Sequence, residues 1–477
     1  MSKLFKDPVH GYIRVPDDYC ESFVDTLIFQ RLRHIEQTSM RCLFPGARHD
    51  RFVHSLGVFH LGSRAYSALL QNTVDHPLIE VLNDDSLWNT FLIACLMHDC
   101  GHAPFSHTFE DYYNETPSGV HGRAFSLLKN QVGGLADFEP DKEGGFKPAA
   151  HEAFSAAMLL KHFSKKLEGK WEPVLAARMI TGCRHRAPKE LHLKVQNALI
   201  SLLNGKAIDV DKLDYIIRDT WASGVKNTAV DMERLVDAFT LTLDSGSGHV
   251  ELALRCSALS VIQSVVDARN YLYEWVYNHH TVHYYADRLK TALKELADTF
   301  KADGKPELFW DVFFSEEAFD HPVPLAGDVN RIYLPTDGDV MSLMKSRLYE
   351  SPAYREFATH RADRFALWKT QAEFRFLFEK RTLLPKRCLE LIAREFSVEK
   401  TDILCCKANA RLYFIKEHDI KVLMPNKKLA SFKQLIDHET RPSDDGANFF
   451  YLYLPKSLVG RHSEIVHSLL EEAISAG

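Results

Sequence analysis

The run Leu87-Trp88-Asn89-Thr90-Phe91-Leu92-Ile93-Ala94-Cys95-Leu96-Met97 ends directly on His98-Asp99. Its apolar density predicts a helix buried over most of its surface. Two ionisable side chains at the end of a core helix are costly unless something compensates them. A metal ion shared by both is the simplest compensation. Further histidine and aspartate candidates stand in Arg51-Phe52-Val53-His54 and Asp209-Val210-Asp211-Lys212. A histidine, an adjacent His-Asp pair and a late aspartate make a mixed nitrogen and oxygen donor set. Such a set suits a divalent ion of borderline softness that holds water and still admits phosphate oxygens. Position alone leaves Asp209 and Asp211 as competitors for the fourth place.

With 24 histidines in the chain, a lone His-Asp is normally a structural pair. The local sequence argues otherwise. His98-Asp99-Cys100-Gly101-His102-Ala103-Pro104-Phe105-Ser106-His107 sets two more histidines at the same helix end. Gly101 is suited to end the helix and Pro104 to direct the exit. Three histidines and an aspartate within one short turn are hard to explain as packing.

At 477 residues the chain is long enough for one large helical domain plus a smaller one. Its hydrophobic and charged fractions, 45% and 26%, are ordinary for a globular protein. A formal charge of −6 argues against a general nucleic-acid coat, while leaving room for a local basic pocket. No apolar stretch is long enough to span a bilayer, and Met1-Ser2-Lys3-Leu4-Phe5-Lys6-Asp7 lacks the pattern of a signal peptide. Nine scattered cysteines with no C-x-x-C pair predict reduced thiols and a cytoplasmic setting.

The pattern predicts a short strand at Gly11–Val15 and an amphipathic helix from about Glu21 to Gln37. A second helix is expected from His54, with Leu56, Phe59, Ala65 and Leu69 on its buried side. The stretch 131–149, rich in Gly and charge, reads as a mobile loop. Helices follow at His151–Leu160, Glu172–Thr181, Leu193–Leu203 and Asp211–Asp219. A hairpin joins Phe239–Leu243 to Val250–Leu254, and Ala258–Phe300 reads as helix throughout. Beyond about residue 310, Pro322, Pro324 and Pro335 interrupt the pattern. Strands are then expected at Ala410–Phe414, Ile420–Met424 and Phe449–Leu454, with a final helix over about Arg461–Ala476. The expected class is mainly α, a helical core over residues 1–310 and a smaller α+β regulatory or oligomerisation region over 311–477.

Five runs occur in order: Asp7-Pro8-Val9-His10-Gly11, Phe29-Gln30-Arg31-Leu32-Arg33, Phe44-Pro45-Gly46-Ala47, Arg51-Phe52-Val53-His54-Ser55-Leu56-Gly57 and the His98–His107 stretch. Ile208-Asp209-Val210-Asp211-Lys212-Leu213-Asp214-Tyr215-Ile216-Ile217-Arg218-Asp219 follows. Together they resemble the HD-domain deoxynucleoside triphosphate triphosphohydrolases, in the branch of the mammalian SAM- and HD-domain enzyme and its bacterial relatives. The likeness is specific up to about Tyr277 and then fades. With no SAM domain ahead of the motifs, a bacterial-type member is expected.

The resemblance implies a metal set of His54, His98, Asp99 and Asp211, which decides against Asp209. It implies one divalent transition metal (Mn, Fe, Zn or Ni), with Mg on the substrate phosphates. Such a metal lowers the pKa of its bound water towards neutrality. The absence of paired cysteines nearby excludes a zinc finger.

Phosphate hydrolysis also needs a proton donor for the leaving oxygen and cations for the phosphates. His102, His107 and His151 are the proton candidates, and the resemblance sets His107 and His151 at the scissile phosphate. Glu110, three residues after His107, shares its face if the helix continues, although the family commonly has Asp there. Taken alone, His151 beside Glu152 would read as a surface pair.

Arg51, Lys212 and Arg269 are the phosphate candidates, each of which would otherwise read as a solvated charge. Tyr215 and Asp219 match positions that line the sugar and exclude a 2′-hydroxyl. Gln37 matches a 3′-hydroxyl contact, and Tyr277 closes on the sugar or base. Asn278 stands where the mammalian enzyme has glutamine.

The implied reaction is dNTP plus water giving deoxynucleoside and inorganic triphosphate. Two other readings compete: an HD phosphohydrolase for nucleoside monophosphates, cyclic nucleotides or alarmones, and a nucleotide-sensing scaffold with weak activity. Lys3, Asp25, Gln30 and Arg33 match positions that recognise an activating GTP or dGTP between subunits, which implies a homo-oligomer. An exposed amphipathic helix face would account for the same four residues.

Overall fold

The computed structural model describes residues 1–113, 123–138, 146, 148–225, 230–244, 248–325, 331–378, 383–407, 420–435 and 449–475. Strands β1 (Ser2–Asp7) and β2 (Gly11–Pro16) form an antiparallel hairpin in which Lys3 faces Val15. The Asp7 carboxylate accepts from the amides of Val9 and His10 at 2.9 and 2.8 Å, and Gly11 takes φ +74° to close the turn.

The helix expected over residues 21–37 is broken. A π-helical turn covers Cys20–Val24, a short helix Leu27–Gln30 and a 3-10 turn Arg31–His34, after which Ile35 is extended. Thr26 is the cause. Its backbone is extended, its hydroxyl donates to Phe23 O at 2.6 Å, and its side chain caps the next turn at Phe29 N. Threonine competes with helix continuation in this way and favours a fresh start.

Helix α1 (Arg51–Asn72) starts a turn earlier than expected, because the Asp50 side chain accepts from Val53 N at 3.0 Å. Leu56, Phe59, Ala65 and Leu69 are buried as their spacing predicts. Helix α2 (Asp85–Met97) is capped by Asp84 and packs against α1. Helices α3 (Ala150–Phe163), α4 (Pro173–Thr181), α5 (Leu191–Leu203) and α6 (Val210–Ser223) complete the bundle, with α6 also against α1. Of the stretch 131–149, residues 136–138 form a 3-10 turn, while 139–145 and 147 lie outside the described residues.

Strands β3 (Phe239–Leu243) and β4 (Val250–Arg255) pair from Phe239↔Leu254 to Leu243↔Val250, and residues 245–247 of their turn lie outside the described residues. The long helix expected over Ala258–Phe300 bends. It comprises α7 (Leu259–Tyr271), a π-helical turn Leu272–Tyr277, a corner at Asn278 and His279, and α8 (His280–Ala302). His279 is extended and its ring accepts from Thr281 N at 3.1 Å, which starts the new helix.

Helices α9 (Asp337–Arg347) and α10 (Pro352–Thr359) pack on α8. There follow β5 (Arg364–Ala366), α11 (Pro385–Phe396), β6 (Leu404–Lys407), β7 (Lys421–Leu423), β8 (Leu429–Ser431), β9 (Phe450–Pro455) and α12 (His462–Ser475). The expected strand at Ala410–Phe414 lies outside the described residues.

Strand β9 is central in a three-stranded antiparallel sheet of order β5-β9-β6. Strand β7 instead pairs parallel with β4, Leu254 opposite Val422, and extends the first sheet to β8-β7-β4-β3. The fold is mainly α with a small α+β part. Two apolar cores divide it. The first runs from Ile13 to Ala353 and takes back Ile420, Val422 and Phe432; the second joins Tyr284 and Tyr285 to buried residues between Leu367 and Ala473. That division does not coincide with the boundary expected near residue 310. Among the described residues no helix is long and apolar enough to cross a membrane.

Candidate metal centre and active site

The first core delivers His54 from α1, His98 and Asp99 from the end of α2, and Asp211 from the first turn of α6 to one point. His54 Nε2 lies 3.3 Å from His98 Nε2, 3.0 Å from Asp211 Oδ1 and 3.7 Å from Asp99 Oδ2. His98 Nε2 lies 3.5 Å from Asp99 Oδ2 and 3.7 Å from Asp211 Oδ1. Donors about 2.1 Å from a single ion stand roughly 3.0–3.4 Å apart; His54 with His98 and with Asp211 falls in that range, and the other three pairs are a few tenths of an ångström wider. His54, His98 and Asp99 are buried, whereas the Asp211 side chain is 37% exposed, which leaves the approach on its side.

What surrounds the four donors fixes their direction. His98 Nδ1 donates to Cys95 O at 2.9 Å, leaving Nε2 as the lone-pair atom. His54 Nδ1 meets Asp214 Oδ2 at 2.7 Å, and Asp214 also holds His10 Nε2 at 2.6 Å and the Arg218 fork at 2.8 and 3.0 Å. Arg218 reaches on to Asp7 at 2.8 Å. Burial opposes charge on the His54 ring, but its bonds to Asp211 and Asp214 outweigh that and raise its pKa to about 10. Such a pocket draws in positive charge, whether proton or cation. Gly57 permits this packing: a Cβ there would lie 1.9 Å from Asp214 Oδ1.

Asp209 is engaged elsewhere. Its oxygens accept from Lys212 N at 2.7 Å and Gly205 N at 2.9 Å, as the N-cap of α6.

A second cluster lies beyond the turn. Gly101 serves close approach there rather than helix termination, since a Cβ would meet Ser155 N of α3 at 2.7 Å. The His102 and His151 rings stack at 4.5 Å, and His107 stands edge-on to both at 5.2 and 5.1 Å. Glu110 lies on a 3-10 turn, Ser106–Tyr113, and bridges His107 Nδ1 at 3.0 Å and His151 Nδ1 at 2.7 Å. Burial alone would lower the His151 pKa, but the bond to Glu110 and its charge raise it. Glu152, the partner its position suggested, instead takes Ala149 N and Asn204. Burial, with Arg51 and His151 nearby, drives the His102 pKa well down.

The structure ties Arg51 inward. Its guanidinium donates to Asp99 at 2.6 Å, Ser106 at 2.8 Å and Gln37 O at 3.3 Å, joining the two clusters. Lys212 Nζ is held by Asp209 and by Gly205 O at 2.8 Å. Arg269 lies over the Tyr273 ring at 4.1 Å. Asp219, fully buried, takes His49 Nε2 at 2.6 Å and the hydroxyl of Tyr277. Tyr215 is one turn before Asp219 on α6, in reach of Tyr273. Gln37 Oε1 is buried without a hydrogen-bond partner among the described residues. Asn278 Oδ1 faces His283 at 3.2 Å.

No family model matches the chain. Individual relatives do. The deoxynucleoside triphosphate triphosphohydrolase SAMHD1 of Danio rerio is 30% identical over 280 residues, covering 58% of this chain and 42% of that protein. A SAMHD1 homolog of Dictyostelium discoideum bearing the same triphosphohydrolase name is 29% identical over 295 residues, 58% of this chain and 46% of that one. The uncharacterized protein YwfO of Bacillus subtilis is 28% identical over 279 residues, 58% and 52%. Over somewhat more than half of its length the chain is similar to HD-domain, dNTPase-like proteins. It spans about half the length of these curated relatives. A phosphohydrolase structure from Bacteroides thetaiotaomicron superposes with a TM-score of 0.64 at 21% identity, over 95% of this chain and all of that one. A hypothetical protein from Aquifex aeolicus gives 0.64 at 19% identity, over 98% of this chain and all of its own. These two show a shared fold.

The four residues matched by sequence to an activator site also gather. Lys3 Nζ pairs with Asp25 at 2.7 Å, Gln30 Nε2 donates to Val24 O at 2.8 Å, and Arg33 Nε donates to Gln30 Oε1 at 2.8 Å. Arg33 also covers the Phe52 ring at 3.5 Å. Sequence reasoning missed His10, His49, Asp214 and Arg218 as site residues. The i,i+4 pair Asp214 and Arg218 was a usable signal on a helix that bears a metal ligand. His49 carried none.

Proposed function

We propose that this chain is a metal-dependent phosphohydrolase that converts a dNTP and water to deoxynucleoside and inorganic triphosphate. The observation that carries the reading is the junction at Arg51, whose guanidinium contacts the candidate metal ligand Asp99 and also Ser106, the residue before His107. A site for a cation and a site for a proton thus share one wall.

A divalent ion held by His54, His98, Asp99 and Asp211 would supply the polarised water and the charge for a phosphate oxygen. The other residues do the positioning and the proton work. Glu110 holds the Nδ1 atoms of both His107 and His151, so their Nε2 atoms are left for substrate. The raised pKa of His151 keeps its proton available for the leaving oxygen. Asp219 and Tyr277 form a fixed wall beside Tyr215, where a 2′-hydroxyl would meet crowding or lose its hydrogen bonds.

The test is incubation of purified protein with each dNTP and each NTP, with Mn or Mg, followed by product identification. Triphosphate release, faster from dGTP than from GTP, supports the reading. Orthophosphate as the product favours another HD phosphohydrolase, and no turnover favours a nucleotide-binding scaffold.

A further inference from the structure

The corner at Asn278–His280 links the sugar-side wall to the second apolar core. In Phe449-Phe450-Tyr451-Leu452-Tyr453-Leu454 only two side chains carry a hydroxyl. Both are 2% exposed, and as alternate residues of β9 they share one face of the sheet. A buried hydroxyl is costly without an acceptor. Both find theirs on the corner's backbone: Tyr451 donates to Asn278 O at 2.7 Å, and Tyr453 to His280 O at 2.6 Å. The Tyr451 ring also lies 5.5 Å from His283, which holds the Asn278 side chain.

The corner follows Tyr277 directly. Asn278 N closes the π-helical turn on Tyr273 O at 3.0 Å, and the Tyr277 hydroxyl reaches Asp219, whose other oxygen takes His49. A continuous path of hydrogen bonds and one covalent link therefore runs from β9 to Asp219.

We propose that Tyr451 and Tyr453 are positioning residues that hold Tyr277 against Asp219, so that the C-terminal sheet forms part of the sugar-side wall. Only the identity of the substrate rests on the function proposed above. Neither tyrosine touches substrate; both act through the corner.

Tyr451→Phe, Tyr453→Phe and the double variant, made in the full metal-loaded chain, test this while keeping the rings and their packing. Hydrogen exchange without substrate should quicken about three- to tenfold across residues 272–283 in the double variant, the effect of losing one or two modest hydrogen bonds. With substrate, KM for a dNTP should rise, the dNTP-over-NTP preference should fall, and kcat should change little, as expected when only binding geometry is loosened. Unchanged exchange across 272–283, or quickening confined to residues 449–456, overturns the proposal. So does a fall in kcat with KM and sugar preference unmoved. Should the wild type turn over no nucleotide, the function proposed above fails, and the exchange result alone decides for or against the positioning role.

Discussion

The two polar clusters flanking the His98–His107 turn contain similar residues in opposite proportions. Around His54 and His98 stand three carboxylates, Asp99, Asp211 and Asp214. Around His102, His107 and His151 the described residues place one, Glu110. Arg51 and Arg218 pair with Asp99 and Asp214, so what distinguishes this cluster is that it adds carboxylate oxygen donors to its rings, a mixed set suited to a cation. Several rings sharing a single carboxylate build a site where one proton moves between defined positions. Either cluster has donor atoms close enough for a metal, so spacing alone does not separate them; the donor types do, since the first offers Asp99 and Asp211 beside its rings while the carboxylate of the second, Glu110, is held between His107 and His151.

The largest expected effect breaks the first cluster alone. Asp211→Ala removes one ligand and one negative charge, and should abolish both metal binding and hydrolysis while the apolar core stays folded. Elemental analysis and circular dichroism check the two halves. Normal metal content in that variant would return the fourth place to Asp209.

His107→Ala addresses the second cluster. It should retain the metal and bind nucleotide but lose turnover by roughly 10²–10⁴-fold, the usual size of a positioned proton transfer. Activity within a few fold of wild type would make His107 structural. Asp214→Asn sharpens the contrast from behind. It keeps all four donors but weakens the hold on His54 Nδ1, so metal affinity should fall about 10- to 100-fold in competition with a chelator.

The smallest effect is a displacement in pH. Glu110 raises the His151 pKa above its ordinary value. If protonated His151 serves the leaving oxygen, activity is present below that raised pKa and is lost as pH rises through it. Glu110→Gln removes the support, so the alkaline limb of the rate profile should move to lower pH. The linked stability follows the same sign: it is present below the ordinary histidine pKa and lost as pH rises through the raised one. An unmoved limb in Glu110→Gln assigns it to another group.

The parts of the site that were legible in sequence are those whose chemistry is local. An apolar helix ending on His98-Asp99, with two more histidines close behind, points to a polar cluster at that helix end, and Glu110 is one turn from His107. His151 is the contrary case. Its neighbour Glu152 suggested a surface pair, and only the tertiary fold brings Glu110 to it from 41 positions away. Arg51 and Lys212 looked free to meet phosphate because sequence shows proximity along the chain, not the inward partners Asp99 and Asp209. The fold repeats the lesson. Helix periodicity placed α1 to α6 well, yet it passed through Thr26 and His279, where a single side chain captures a backbone amide and starts a new helix. The pairing of β7 with β4 was out of reach for the same reason, since strand periodicity does not name the partner strand.

Metal stoichiometry tests the division between the clusters most directly. Protein loaded with Mn and freed of excess should carry one ion per chain, lost in Asp211→Ala and kept in His107→Ala. Two ions per chain, or one that disappears with His107 and survives without Asp211, would contradict the assignment of the first cluster to the cation and the second to the proton.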